Sequence, residues 1–246
     1  MFGKNIAASA RDFKTGFSYL AFGARTLATE KHLWPLIVAP VIVNIVLFVL
    51  FLFGLLHLVG TFFTSRLPDV WWAFVIGGLV LVATIGAFLF LCAVAFVFVG
   101  SIISAPFYDV LAEKSIRSLG GIVPDHPWWK SVGRSMKYAA ALLATYVFAQ
   151  AGLLFLSLVP PPIGQISYIS LGFAVTTFFL ALGFLTYSFD ARGWTLTQRR
   201  SWCIRRKGLV LGFGSAVFLA LGIPFLNVFV PPIAILGSVR LFHDHS

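Results

Sequence analysis

The sequence predicts an all-α integral membrane protein, and three observations carry that prediction. Hydrophobic residues make up 59% of the 246 and charged residues only 11%, a balance that a water-soluble domain cannot hold without exposing large apolar patches. Four windows contain no Asp, Glu, Lys or Arg: 32–65, 70–108, 138–189 and 208–239. A bilayer core about 30 Å thick needs roughly 20 apolar residues per helical crossing, and every window is longer than that. Inside them apolar residues run continuously instead of alternating, as helical spans do and the strands of a membrane barrel do not. The third observation is where the basic residues fall. Of 18 Lys and Arg, only Arg66 lies between the first two windows, where Asp69 balances it.

The positive-inside rule converts that asymmetry into a topology. The other basic residues occupy 1–31, 109–137, 190–207 and the tail 240–246, so these segments are expected on the cytoplasmic side, with both chain ends inside and the 66–69 turn outside. The whole chain, 1–246, then reads as one membrane domain.

Residues 1–31 carry Phe13, Phe17, Leu20, Ala21, Ala24 and Leu27 near one helical face, with Arg11, Lys14 and Arg25 elsewhere. That pattern predicts an amphipathic helix lying in the plane of the inner surface. No apolar stretch precedes Leu33, which argues against a cleaved secretory signal and for insertion directed by the first span. Windows 32–65 and 70–108 are long enough to be transmembrane helices. All seven tryptophans, Trp34, Trp71, Trp72, Trp128, Trp129, Trp194 and Trp202, lie at window edges or in basic segments, where interfacial anchors are expected.

Parity requires each later window to leave and return on the same side. The stretch "LVPPPIGQIS" supplies the bend in 138–189: Pro160, Pro161 and Pro162 cannot continue a helix. The window therefore folds into a hairpin with arms 138–159 and 163–189. In 208–239, Pro224 and the pair Pro231 and Pro232 bracket a second bend. Its ascending arm, Gly208–Ile223, is 16 residues, about 24 Å at 1.5 Å per residue, and the arm after Pro232 reads as shorter still. Such a hairpin is re-entrant and stops inside the membrane. Backbone that turns at that depth is tolerated only inside protein or beside water, which implies an oligomer or an aqueous path.

Catalytic chemistry finds no foothold. There is no Walker-type loop, HExxH, CxxC or GxSxG, so neither an ATPase nor a hydrolase is expected. The windows contain no carboxylate for an intramembrane proton relay, and His57 reads as an interfacial residue. Cys92 and Cys203 read as ordinary thiols, the five histidines form no ligand set with them, and no metal or cofactor is expected. The basic 190–207 segment fits contact with anionic lipid headgroups; no nucleic-acid-binding module fits between the spans. Acidic Asp109 and Glu113 read as favouring the start of a helix that follows a break at Pro106.

Five motifs, in order, resemble the CysZ family of bacterial sulfate permeases, related to the eukaryotic etoposide-induced-protein family. They are "APVIVN" at 39–44, "SAPFYDVLAE" at 104–113, "PPIGQ" at 161–165, "SFD" at 188–190 with its basic sequel, and "IPFLNVFVPPIAILG" at 223–237. The resemblance covers about 16–244. It implies an amphipathic N-terminal helix, two long transmembrane helices, two hairpins that only partly enter the membrane, a homo-oligomer in the bacterial inner membrane, and sulfate uptake for cysteine synthesis. It also implies an anion site before the first long helix, where the family has a glycine, an apolar residue and an arginine. Here those places hold His32, Leu33 and Trp34, and the arginine is absent. Unpaired amides at a helix start still hold oxyanions, with Arg25, Lys31 or His32 supplying positive charge. Asn44, Gln150, Gln165 and Asn227 are the amides that would line a wet route, or else bond between helices or cap a helix break. Inward sulfate movement opposes about 4.6 kcal/mol at 100 mV for its two charges, so a channel-like permease feeding rapid consumption fits best. A scaffold of the same fold without transport is the alternative.

Overall fold

The computed structural model describes residues 2–64, 103–123, 128–158, 160, 162–223, 226 and 229–246, together with 78, 82, 83, 86, 89 and 90. The side chains of 2–8, 44, 55, 58–64, 128–137 and 139 lie outside that description. So do the 66–69 turn, most of window 70–108, Trp71, Trp72, Cys92, Pro161, Pro224 and Asn227. The described residues are mostly helical, with no strand among them. In chain order they form α1 (Phe2–Thr29), a 3-10 turn (Lys31–Leu33), α2 (Trp34–Thr64), α3 (103–118), α4 (Trp128–Leu154) with a 3-10 extension (Phe155–Leu158), α5 (Ile163–Ala191), α6 (Leu196–Arg205), α7 (Lys207–Leu221) and α8 (Val230–His245). Contacts group the chain into two units, Pro35–Phe107 and the remainder.

Three described segments are long and apolar enough to cross a bilayer: Lys31–Gly54, Ala140–Leu158 and Ile163–Ala191. The first belongs to α2, which runs 31 residues through an internal Pro40. Proline forfeits one helix hydrogen bond, a defect that membrane helices tolerate. Ile42, Ile45, Phe48, Leu50 and Phe53 are exposed along it, as suits a helix clothed in lipid. The other two segments are the arms of the first hairpin, joined through Pro160 and Pro162 where the proline run placed the bend.

In the larger unit α1, α5, α6, α7 and α8 enclose one core. Tyr19, Leu185, Phe189, Trp202, Val210, Phe213, Val217, Ala234, Leu241 and Phe242 are buried in it. Phe189, Trp194, Trp202 and Phe242 pack as an aromatic cluster, with Trp194 stacked on Phe189 at 5.5 Å. Trp202 is thus a core residue and not an interfacial anchor. Its place in a basic segment hid the fact that one side of α6 faces inward.

One further expectation is corrected, and three segments gain detail. Helix α1 leaves Phe13, Phe17, Ala21 and Ala24 exposed, a face available to lipid, and buries Gly16, Tyr19, Gly23 and Leu27. The buried stripe is set by backbone approach. A Cβ at Gly16 would overlap the Leu209 carbonyl, and one at Gly23 the Ile233 carbonyl. Helix α8 starts at Val230 and continues past the apolar window through Arg240 to His245, 16 residues against 15 in α7, while its part after Pro232, 233–245, is shorter than α7. At about 1.5 Å per residue neither exceeds ~24 Å, less than a bilayer core. Pro106 ends no helix: α3 runs through it, since proline's fixed φ suits a helix even where its missing N–H does not. The 190–207 segment, finally, is largely helical. A turn at Gly193 (φ +68°) leads to a capping box in which the Thr195 hydroxyl and Gln198 satisfy each other's backbone amides at the start of α6.

Candidate anion site and polar contacts

The expected anion site lies where α1 gives way to α2. Helix α1 ends at Thr29, and the backbone tightens into the Lys31–Leu33 turn before α2 begins at Trp34. Leu33 donates its amide to Glu30 O at 3.0 Å and Trp34 to Lys31 O; Pro35 has no amide to give. The amides of Lys31 and His32 stand in the same turn, where an oxyanion would meet backbone donors. Leu33 is fully buried and fixes the turn, while the side chains of Arg25, Lys31 and His32 are exposed. The Trp34 indole is not a free donor, because it bonds Leu27 O at 3.1 Å.

An acidic residue also occupies this place. Glu30 Oε2 lies 3.8 Å from His32 Nε2, in ion-pair range but too long for a hydrogen bond, and is buried without a hydrogen-bond partner. Its charge draws His32 toward itself and opposes an incoming anion. Attention to basic residues alone passed over Glu30, although it directly precedes Lys31.

Two of the amides proposed to line a path have described side chains. Gln150 on α4 bonds Thr176 on α5 at 2.9 Å and Tyr146 at 3.2 Å, so it does hold two helices together. Gln165 is exposed near the tip of the first hairpin. Asn44 sits on α2 with its side chain outside the description, as Asn227 is altogether.

A second polar group gathers at the other end of α5. The Arg199 guanidinium, 6% exposed, donates from Nη2 to Asp190 Oδ1 at 2.5 Å and from Nε to Trp194 O at 3.0 Å, and covers the Tyr138 ring at 4.2 Å. Nearby on α3, burial and the charges of Asp190 and Glu113 push the Asp109 carboxyl up to about 6. The chain end is fastened by Tyr19, which donates to Asp244 at 3.0 Å, and by the Trp202 indole on His245 O at 3.3 Å. None of these long-range pairs has a local signature; the only hint was "SFD" preceding a basic stretch.

Comparison with known proteins settles what this arrangement belongs to. The family model described as "Sulfate transporter CysZ/Etoposide-induced protein 2.4" matches residues 19–232. The chain belongs to this family. It is a family of transporters, not enzymes, and with the apolar helices above it makes the chain a membrane protein. The chain is 28% identical over 240 residues to the sulfate transporter CysZ of Vibrio parahaemolyticus, covering 93% of this chain and 94% of that one. It is 28% identical over 238 residues to the CysZ of Vibrio cholerae serotype O1, 93% of each, and 26% identical over 240 to that of Vibrio atlanticus, covering 93% and 92%.

Proposed function

We propose that this chain is a channel-like permease for sulfate or a closely related oxyanion in a bacterial inner membrane, feeding sulfur assimilation. The observation that carries the reading is family membership over residues 19–232, supported by curated relatives named as sulfate transporters along nearly their whole length. In this reading both chain ends are cytoplasmic, the α7–α8 hairpin is re-entrant because its arms fall short of a crossing, and the α4–α5 hairpin enters partway as the family resemblance implies. A homo-oligomer supplies the protein surroundings that hairpin tips require, and the exposed Arg200 and Arg205 of α6 lie among anionic headgroups. The oxyanion is held at the start of α2 by the amides of Lys31 and His32, with Arg25, Lys31 and His32 supplying charge and buried Leu33 holding the turn. Asn44, Gln150, Gln165 and Asn227 are the amides proposed for the wet route.

Radiolabelled sulfate flux into proteoliposomes tests the reading: saturable uptake, competed by sulfite or thiosulfate, is expected. The absence of anion flux in an intact oligomer would leave a membrane scaffold of the same fold. One observation favours that second reading, namely that the family's arginine is missing and Glu30 lies beside His32.

A further inference from the structure

The three polar side chains between α4 and α5 do not close their own hydrogen-bond account. Gln150 Nε2 carries two hydrogens, and both are engaged, one by Thr176 Oγ1 at 2.9 Å and one by Tyr146 Oη at 3.2 Å. The two hydroxyls also touch each other at 3.3 Å, where either one is the donor. Two hydroxyls bring two hydrogens and this contact uses one, so one is left over whichever way it points. The usual outlet for a helical threonine is the carbonyl four residues back. Thr145, Thr177 and Thr186 on the same two helices all take it, at 2.7, 2.9 and 2.9 Å. Thr176 does not. Gln150 Oε1 likewise receives no donor among the described residues.

A clamp that served packing alone would satisfy itself, as the threonines around it do. This one keeps a spare O–H donor and a spare amide oxygen on half-buried side chains, in helices whose neighbouring Leu143, Val147, Phe148 and Phe173 are exposed and apolar. Against acyl chains both spare groups would be left without a partner at real cost. We infer that Tyr146, Gln150 and Thr176 form a hydrogen-bonding station for an acceptor oxygen passing along the first hairpin, belonging to the transported oxyanion or to water travelling with it. The hydroxyl hydrogen is given to that oxygen, and the Gln150 amide oxygen accepts from the surrounding water. This rests on the transport reading above and adds Tyr146 and Thr176 to its route.

Thiol labelling decides it. In the full chain reconstituted in liposomes, T176C is treated with a membrane-impermeant methanethiosulfonate reagent. The rate is compared with that of F148C, which replaces an exposed apolar side chain of α4, above the background of Cys92 and Cys203. Faster modification of T176C is expected; slowing by added sulfate assigns the oxygen to the oxyanion, and indifference to sulfate assigns it to water. Modification no faster than that of F148C would overturn the station. Flux, measured at a temperature where both variants remain folded, gives the independent arm: T176S keeps sulfate uptake, and T176V lowers it about tenfold, the scale of one lost hydrogen bond to a charged group. Full uptake by T176V would equally overturn it. If the parent chain moves no sulfate, the transport reading fails while the labelling comparison still decides the station.

Discussion

Replacing Arg199 with methionine is expected to be among the most damaging single changes outside any anion site. The guanidinium is buried against Tyr138 and Phe189, bonds the Trp194 carbonyl, and lies 2.5 Å from an Asp190 carboxylate that is nearly as buried. Methionine fills much of the volume but leaves Asp190 without this counter-charge, beside Asp109. Breaking a buried pair from one side costs about 3–5 kcal/mol. At about 2–4 °C per kcal/mol for a chain of this length, the melting temperature in detergent should fall by roughly 6–20 °C. The double variant R199M/D190N removes both charges and should recover a large part of the loss, because the penalty is mainly that of the stranded carboxylate. Thermal unfolding followed by tryptophan fluorescence reads both. A drop under about 2 °C for R199M, or a double variant no more stable than the single, would refute the view of this pair as a buried, mutually dependent unit.

Other predictions follow from the same geometry. A methyl group at Gly214 would overlap the Thr177 carbonyl oxygen, so G214A must push α5 from α7 and should cost about 1–3 kcal/mol, read as a lower melting temperature. The Asp109 carboxyl is raised to about 6, first by burial and then by Asp190 and Glu113. The native state therefore binds this proton more tightly than the unfolded chain does, and stability should rise as pH falls from about 7 through 6 towards 4, by on the order of 2 kcal/mol. D109N should be more stable than the parent at pH 7.5 and lack that rise; a parent whose melting temperature is flat across this window would contradict the assignment. Burial pushes the Cys203 thiol up to about 12 against the pull of Arg199, so it should resist maleimide at pH 7 until the protein unfolds. At the anion site, K31A/H32A should weaken apparent sulfate affinity roughly three- to tenfold, and E30Q should strengthen it; unchanged uptake kinetics in both would remove the site.

What could be seen in the sequence was whatever follows from transfer into lipid. Uncharged windows locate α2, α4, α5 and α7, and Pro160–Pro162 locate the first bend, because missing amides and apolar side chains act wherever they stand. Contacts between distant segments were hidden. Hydropathy marks the Phe13 and Phe17 face of α1 as the one for the membrane surface, but what decides its docking on protein is how near Gly16 and Gly23 let it come to the backbones of α7 and α8. The same limit applies to Arg199. A count of positive charge assigned it to the membrane surface, whereas its partner Asp190, at the end of a long apolar arm, carries it into the core. At the candidate site, the family resemblance pointed to 32–34, but only coordinates reveal that the Leu33 and Trp34 amides are already spent and that Glu30 leans on His32.

The docking of α1 has a consequence for how the molecule is made. Gly16 and Gly23 leave the ribosome long before Leu209 and Ile233, whose carbonyls they rest against. Throughout translation the first helix waits without its partners, its glycine groove open to whatever the translocation machinery or a neighbouring nascent chain offers. Messages truncated before the codon for Ile233 should therefore yield products recognised as incomplete and degraded, even though every long apolar span has by then been inserted.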